Sequence, residues 1–258
     1  MKKIVLLLFG IIILSSCEKD NLNKYRDTPL LSDIYFDRQL CVEYTYNDLC
    51  LITEEKAQNY YTKHNYNLKN MLMSSEYYYV INLIYRTGWV NPSNNMAKIQ
   101  TRLYEYNSEG ILTNITDILP TTQPTYLKLY SEFSYEDNRI SRQTIYTQNE
   151  ISSYIDYEYD EKGNMIKETR YNISSEGIGE IWTATEYEFD DKHNPYLAFK
   201  NLALPGKYTN PNNITKETYT FYRGIDISSQ HKATTYSYEY NSEGYPTKVN
   251  GKEVYIYK

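Results

Sequence analysis

The 258-residue chain is poor in the side chains that most enzymes rely on: it has three histidines, three cysteines and two tryptophans, and no surplus of basic charge. His64, His193 and His231 lie far apart, and none has a second ligand-type residue at helical or strand-neighbour spacing, so no zinc site is spelled. A glycine-rich phosphate loop, a nucleophile elbow and a Cys–His pairing are likewise missing. Asp190-Asp191 and Glu54-Glu55 are adjacent acids, and neighbours along a strand point to opposite faces, so these pairs do not converge for acid–base work. No cofactor, metal or catalytic residue is therefore expected, and the protein is not expected to be an enzyme. With 27 Lys and Arg against 33 Asp and Glu, the formal net charge is −6, which argues against nucleic acid or an anionic lipid surface as a partner. The one long apolar run, Ile4 to Leu14, rises only about 16 Å as a helix, roughly half the hydrocarbon thickness of a bilayer, so a permanent helical span is not expected either.

That short run has a different use. Lys2 and Lys3 precede it and the small residues Ser15 and Ser16 follow, which is the order of a secretory leader. Leu14-Ser15-Ser16-Cys17 resembles the lipobox of bacterial lipoproteins, in which the Cys thiol takes a diacylglycerol and a peptidase cuts just before it. The resemblance implies a signal peptide over residues 1–16 and lipidation of Cys17, with enough acyl chains for stable anchoring. Residues 17–30 are polar, carry Pro29 and read as an acylated flexible tether. Position 18 is Glu, not the Asp that resembles an inner-membrane retention mark, and Glu18-Lys19-Asp20 resembles the surface-export signal of Bacteroidetes lipoproteins. The expected location is the outer membrane, with the protein lipid-anchored and facing the cell exterior or the periplasm.

Beyond the tether, residues 31–258 read as a single Tyr-rich domain with no composition shift to mark a second one. Tyr supplies 32 residues, so it must furnish much of the core. Each ring is apolar but each hydroxyl needs a partner, which suits a thin sandwich, a curved sheet or a barrel better than a deep globule. Cys41 and Cys50 form a candidate disulfide in an exported chain. They come together on neighbouring strands if the turn between them is centred near Thr45 to Asn47; a turn near Asn47-Asp48 makes them face apart.

The organising signal is a repeat. Tyr104-Glu105-Tyr106-Asn107-Ser108-Glu109-Gly110 recurs as Tyr157 to Gly163 and as Tyr238 to Gly244, with related copies at Tyr187 to Asn194 and Phe133 to Asn138 and a weaker one at Tyr44 to Asp48. Aromatics at alternate positions put rings on one face of a strand, as for Thr185, Tyr187 and Phe189 or Tyr236, Tyr238 and Tyr240. Asn or Asp then opens a turn, and Gly or Asn can close it with positive φ. The unit is a β-hairpin, too weak to stand alone. The sequence therefore predicts an all-β fold: a large antiparallel up-and-down meander of hairpin repeats, roughly ten to fourteen strands, strongly curved or closed into a barrel-like sheet. From Glu54 to Met73 helix and strand are both open readings.

Two resemblances rest on these residues. The phrase from Tyr157 to Asn164 resembles the YD repeats of RHS-type wall and toxin proteins. The lipobox and hairpins, with Asp191 to Tyr196, Asn212 to Thr215 and Glu243 to Lys248, look like a Bacteroidetes lipoprotein domain of unknown function described as having a porin-like β-fold. That resemblance covers mainly residues 100–258; it implies a barrel-like antiparallel sheet and brings no activity with it. A porin-like shape does not imply a pore here, because the aromatic faces are opposed by Glu, Asp, Lys and Thr instead of a lipid-facing apolar band. The expected function is that of a noncatalytic binding or interaction module whose partner is a glycan or an envelope protein. A purely structural scaffold and an enzyme with a loop-borne site stand as alternatives. Trp89 and Trp182 are the candidate ligand platform, and the Tyr ladders either stack on sugars or simply pair across strands.

Overall fold

The structure is a computed structural model that describes residues 28–80, 96–120, 128–202, 204–222 and 230–258. The leader, Cys17 and Trp89 lie outside the described residues. The first strands are β1 (Leu31–Phe36), β2 (Gln39–Tyr46), β3 (Ile52–Ala57), β4 (Tyr60–Tyr66) and β5 (Leu72–Val80). They are followed by β6 (Met96–Tyr106), β7 (Leu112–Ile118), β8 (Leu129–Glu136), β9 (Arg139–Thr147), β10 (Glu150–Tyr159), β11 (Met165–Ile173) and β12 (Gly179–Phe189). The last are β13 (Ile214–Phe221), β14 (Gln230–Thr235), β15 (Tyr238–Tyr240), β16 (Pro246–Val249) and β17 (Glu253–Tyr257). Every pairing is antiparallel and nearly all join sequence neighbours; the exception seats β1 between β2 and β17.

The fold expectation is corrected in number and in form. Among the described residues one sheet holds seventeen strands, not ten to fourteen, and it is an antiparallel meander and not a strongly curved or barrel-like form. The undercount came from polar strands such as Ile52-Thr53-Glu54-Glu55-Lys56-Ala57, which carry too few apolar residues to alternate visibly. The region read as helix or strand, Glu54 to Met73, is strand and turn throughout. Curling was expected because a flat sheet of that width would twist apart, and no segment was read as covering its aromatic face. Residues 190–213, between β12 and β13, do cover it, and they include a short 3-10 helix at Leu197–Leu202.

Local chemistry explains the hairpins. Asn47, Asn67, Asn107 and Asn241 each open a turn whose side-chain Oδ1 accepts the backbone N–H groups two and four residues on, at 2.9–3.0 Å. The fourth turn residue is left-handed: Cys50 (φ 60°), Asn70 (61°), Gly110 (80°), Gly163 (93°) and Gly244 (82°). This is a type I turn closed by a bulge, and the register slips there at Thr45/Tyr46, Asn65/Tyr66, Glu105/Tyr106, Glu158/Tyr159 and Glu239/Tyr240. Asp37-Arg38, Asp137-Asn138 and Gln148-Asn149 instead make two-residue turns with both φ positive, whose twist matches the strands.

A bulge strands a carbonyl, and tyrosine hydroxyls from the next hairpin take it up. Tyr66 donates to Ile52 O (2.7 Å), Tyr135 to Leu112 O (2.7 Å), Tyr159 to Ile140 O (2.8 Å), Tyr238 to Ile214 O (2.6 Å) and Tyr257 to Pro246 O (2.6 Å). Each acceptor belongs to the first or second residue of a strand returning from a bulge. The repeat thus needs Tyr and not Phe at these positions.

Strand direction alternates, so the Asn turns, the 190–213 segment and both ends of the described domain share one end of the sheet. There Leu30 and Lys258 exchange two backbone hydrogen bonds, at 3.1 and 3.0 Å. The core lies between the covering segment and the sheet. Phe199 is fully buried, with its ring 4.9 Å from Tyr44, 5.6 Å from Tyr196 and 5.6 Å from Tyr208.

Candidate functional site

Under the covering segment, beside β12 to β17, is a pocket of about 300 Å³. Asn194 shapes it: its Oδ1 accepts Tyr196 N at 2.9 Å and its amide donates to Lys207 O (2.8 Å) and Asn210 O (2.7 Å), which folds the segment back on itself. Asp190 anchors both ends of the segment by accepting backbone N–H groups of Lys192 (2.9 Å) and Asn213 (3.1 Å), and it also accepts the Tyr240 hydroxyl. The opposite wall is Tyr187 of β12, Glu217 of β13, Tyr236 and Tyr238 next to and within β15, and Glu253 and Tyr255 of β17.

The pocket is aromatic, hydroxyl-rich and acidic. Tyr196 and Tyr255 share a hydroxyl–hydroxyl hydrogen bond at 3.2 Å, and Lys207 Nζ sits 3.9 Å from the centroid of the Tyr196 ring. Burial holds the Tyr238 and Tyr255 hydroxyls well above their ordinary range, and burial together with Glu217 raises that of Tyr236, so all three stay protonated donors at neutral pH. Burial also raises the Glu168 carboxyl, although hydrogen bonds from Thr185 and Tyr187 pull the other way. Glu168 does not line the pocket. Such a cavity can hold a polyol by stacking and by hydrogen bonds to hydroxyls and carboxylates.

The residues singled out in the sequence fall elsewhere. Trp182 is 43 % exposed at the opposite end of β12, edge-on to Phe221 at 4.8 Å, and takes no part in the pocket. Cys41 and Cys50 are free thiols: the turn runs from Asn47 to Cys50, the arrangement that points them apart. His64 bonds Ser75, His193 stacks on Tyr245 at 4.9 Å and His231 bonds Thr220, three separate structural tasks. Among the described residues no three His, Cys, Asp or Glu are grouped to hold a metal. Glu54 and Glu55 do face oppositely, accepting Tyr61 and Tyr60 respectively. Several Tyr ladders are cross-strand pairs in register: Tyr130 stacks on Tyr146 and Tyr154 on Tyr171, both at 4.6 Å. Sequence reasoning missed Glu217, Glu253 and Lys207, since their meeting depends on the path of the covering segment; Tyr187, Tyr236 and Tyr238 were at least marked by the repeat.

No family model matches the chain, and no curated protein matches it. Among solved structures it is similar to a porin-like protein from Bacteroides vulgatus, at 11% identity over 89% of this chain and 99% of that one, with a TM-score of 0.40. A porin-like protein from Bacteroides uniformis is similar at 13% identity over 88% and 98%, with a TM-score of 0.39. A DUF3836 family protein from Parabacteroides distasonis is similar at 10% identity over 42% and 89%, with a TM-score of 0.29. The chain thus bears a distant resemblance to Bacteroidetes proteins of this kind.

Proposed function

We propose that this protein is a lipid-anchored envelope lipoprotein that binds a neutral or amino-bearing glycan, noncatalytically, in the pocket between the covering segment and β12 to β17. The observation that carries the binding half is the pocket itself: tyrosine rings and hydroxyls around Glu217 and Glu253, in about 300 Å³, the lower end of the range for small-ligand sites. The anchoring half rests on the order of charge, apolar run, small residues and Cys17 in the leader. In this reading the YD-like hairpins are the scaffold that carries the pocket, and the domain stands at the outer membrane on residues 17–30. Trp182, half-exposed at the far end of the sheet, is the second candidate platform.

Two measurements test this. Labelled palmitate should enter the wild-type chain and not Cys17→Ser, and protease treatment of intact cells reports which side the domain faces. Saturation-transfer NMR with a panel of neutral and amino-bearing oligosaccharides should detect binding that Tyr236→Ala and Glu217→Gln weaken at least about tenfold, a loss of about 1.4 kcal/mol. Binding weakened only by Trp182→Ala would move the site to the far end, and no binding across the panel would refute the glycan reading.

A further inference from the structure

The same turn-bearing end of the sheet holds a second cavity, larger and of opposite character. It is an open hollow of about 500 Å³ between the turns that follow β4, β6, β8 and β10 and the covering segment. Two cations, Arg139 and Lys200, line it, along with Tyr106, Tyr135, Tyr159 and Asn138, and among the described residues no Asp or Glu is part of its wall. In a chain with net charge −6 that separation is notable. Arg102 and Arg142 each spend their guanidinium on an aspartate, Asp117 and Asp156, through two hydrogen bonds. Arg139 instead donates to a neutral group, Asp160 O, at 3.2 Å and lies 5.5 Å from the centroid of the Tyr159 ring. Its carbonyl and ring contacts fix the side chain in place, and among the described residues of the wall no carboxylate compensates its positive charge.

We infer that this cavity is a binding site for a phosphorylated polyol, separate from the acidic pocket. The charge calls for an anion, and a guanidinium is suited to phosphate because its N–H fork matches two oxygens. The volume is too great for a bare ion, and the tyrosine rings and the Asn138 amide suit the hydroxylated body of a sugar-sized ligand. A soluble sugar phosphate and a phosphate-bearing lipid headgroup share this chemistry.

Isothermal titration of the full chain with glucose 1-phosphate, glucose and inorganic phosphate tests the inference, together with flotation on vesicles of phosphatidylglycerol or phosphatidylcholine. Arg139→Gln and Lys200→Gln, alone and combined, are measured alongside, with thermal melts to verify that each variant is folded. Glucose 1-phosphate should bind at least about tenfold more tightly than glucose, weaken as salt is raised, and lose at least about tenfold in the double variant. Flotation only with phosphatidylglycerol, abolished in the double variant, supports the site with a headgroup as its source. Equal binding of glucose and glucose 1-phosphate, undiminished binding in a folded double variant, or no binding to any probe overturns it.

Discussion

A single hydroxyl decides much at the residue scale. Tyr66, Tyr135, Tyr159, Tyr238 and Tyr257 each place a ring in the core and a donor on a carbonyl displaced by a bulge. Removing the donor leaves a carbonyl short of a partner, which costs about 1–3 kcal/mol when water cannot replace it. Tyr66→Phe should therefore lower stability by about 1–2 kcal/mol in urea melts, whereas Phe at the surface-stacked Tyr130, whose hydroxyl is not part of this scheme, should change it by less than about 0.5 kcal/mol. His64 provides a second residue-scale outcome. It is buried, its Nδ1 meets Ser75 Oγ at 2.8 Å, Ser75 meets the Tyr104 hydroxyl at 3.1 Å, and its Nε2 has no hydrogen-bond partner among the described residues. Burial depresses its pKa to about 4 from 6.5. Above pH 6.5 neither state is charged there; below it the unfolded chain takes up the proton first, so stability falls as pH drops from 6.5 and the loss is complete near pH 4. The total from this group is about 3 kcal/mol, and His64→Gln should flatten that part of the stability–pH curve.

At the scale of the hairpin, five sister turns permit a comparison within one molecule. The left-handed fourth position is Gly at 110, 163 and 244, but Asn70 and Cys50 fill it in the first two copies. Asn tolerates this conformation; Cys gains nothing from it and bears the steric cost of about 1 kcal/mol. Cys50→Gly should thus stabilise the domain by up to about 1 kcal/mol, and Gly110→Ala should destabilise it by a similar amount or more, both read from chemical melts. The same comparison shows why the hairpins were legible. Tyr at alternate positions followed by Asn or Asp and then Gly states a strand and its reversal in one phrase, and the later copies obey it. The early strands spell it poorly: Asn67-Leu68-Lys69-Asn70 lacks Gly, and Glu54-Glu55-Lys56 hides a strand among charges, so the count came out low. Bulges could not be read either, because the register slip follows from the turn geometry and leaves no residue type of its own in the strand.

For the whole molecule, the decisive part is the stretch that has no repeat in it. Residues 190–213 join three groups of buried side chains: Phe199 and Tyr196 enter the one around Tyr44 and Tyr255, Leu202 and Leu204 reach the one around Tyr104 and Leu112, and Asn210 caps Met165 N at 2.8 Å beside Ile140 and Tyr157. Phe199→Ala should cost about 3–5 kcal/mol, and because the segment forms a wall of both cavities, the loss should appear as faster amide exchange around them as well as a lower melting temperature. This is also why the residues that line the two cavities were harder to see than the fold. Lys207 and Lys200 sit in a segment without periodicity, and Glu217 and Glu253, far apart in the chain, look like ordinary solvated acids until the segment is laid across them. The expectation of a barrel-like form had another origin, the width of the sheet, which by twist alone suggested that it would curl or close.

The seat of β1 between β2 and β17 sets an order of events. A ribosome delivers the first strand long before its second partner exists, and loop-closure entropy delays contacts between such distant segments. The amino-terminal hairpins can form early, but the first strand keeps one flank of unpaired amides and carbonyls until residues 253–257 arrive. Seating of the first strand is therefore completed only after residue 257 has been made, and the slow step of folding should be the docking of these two distant segments.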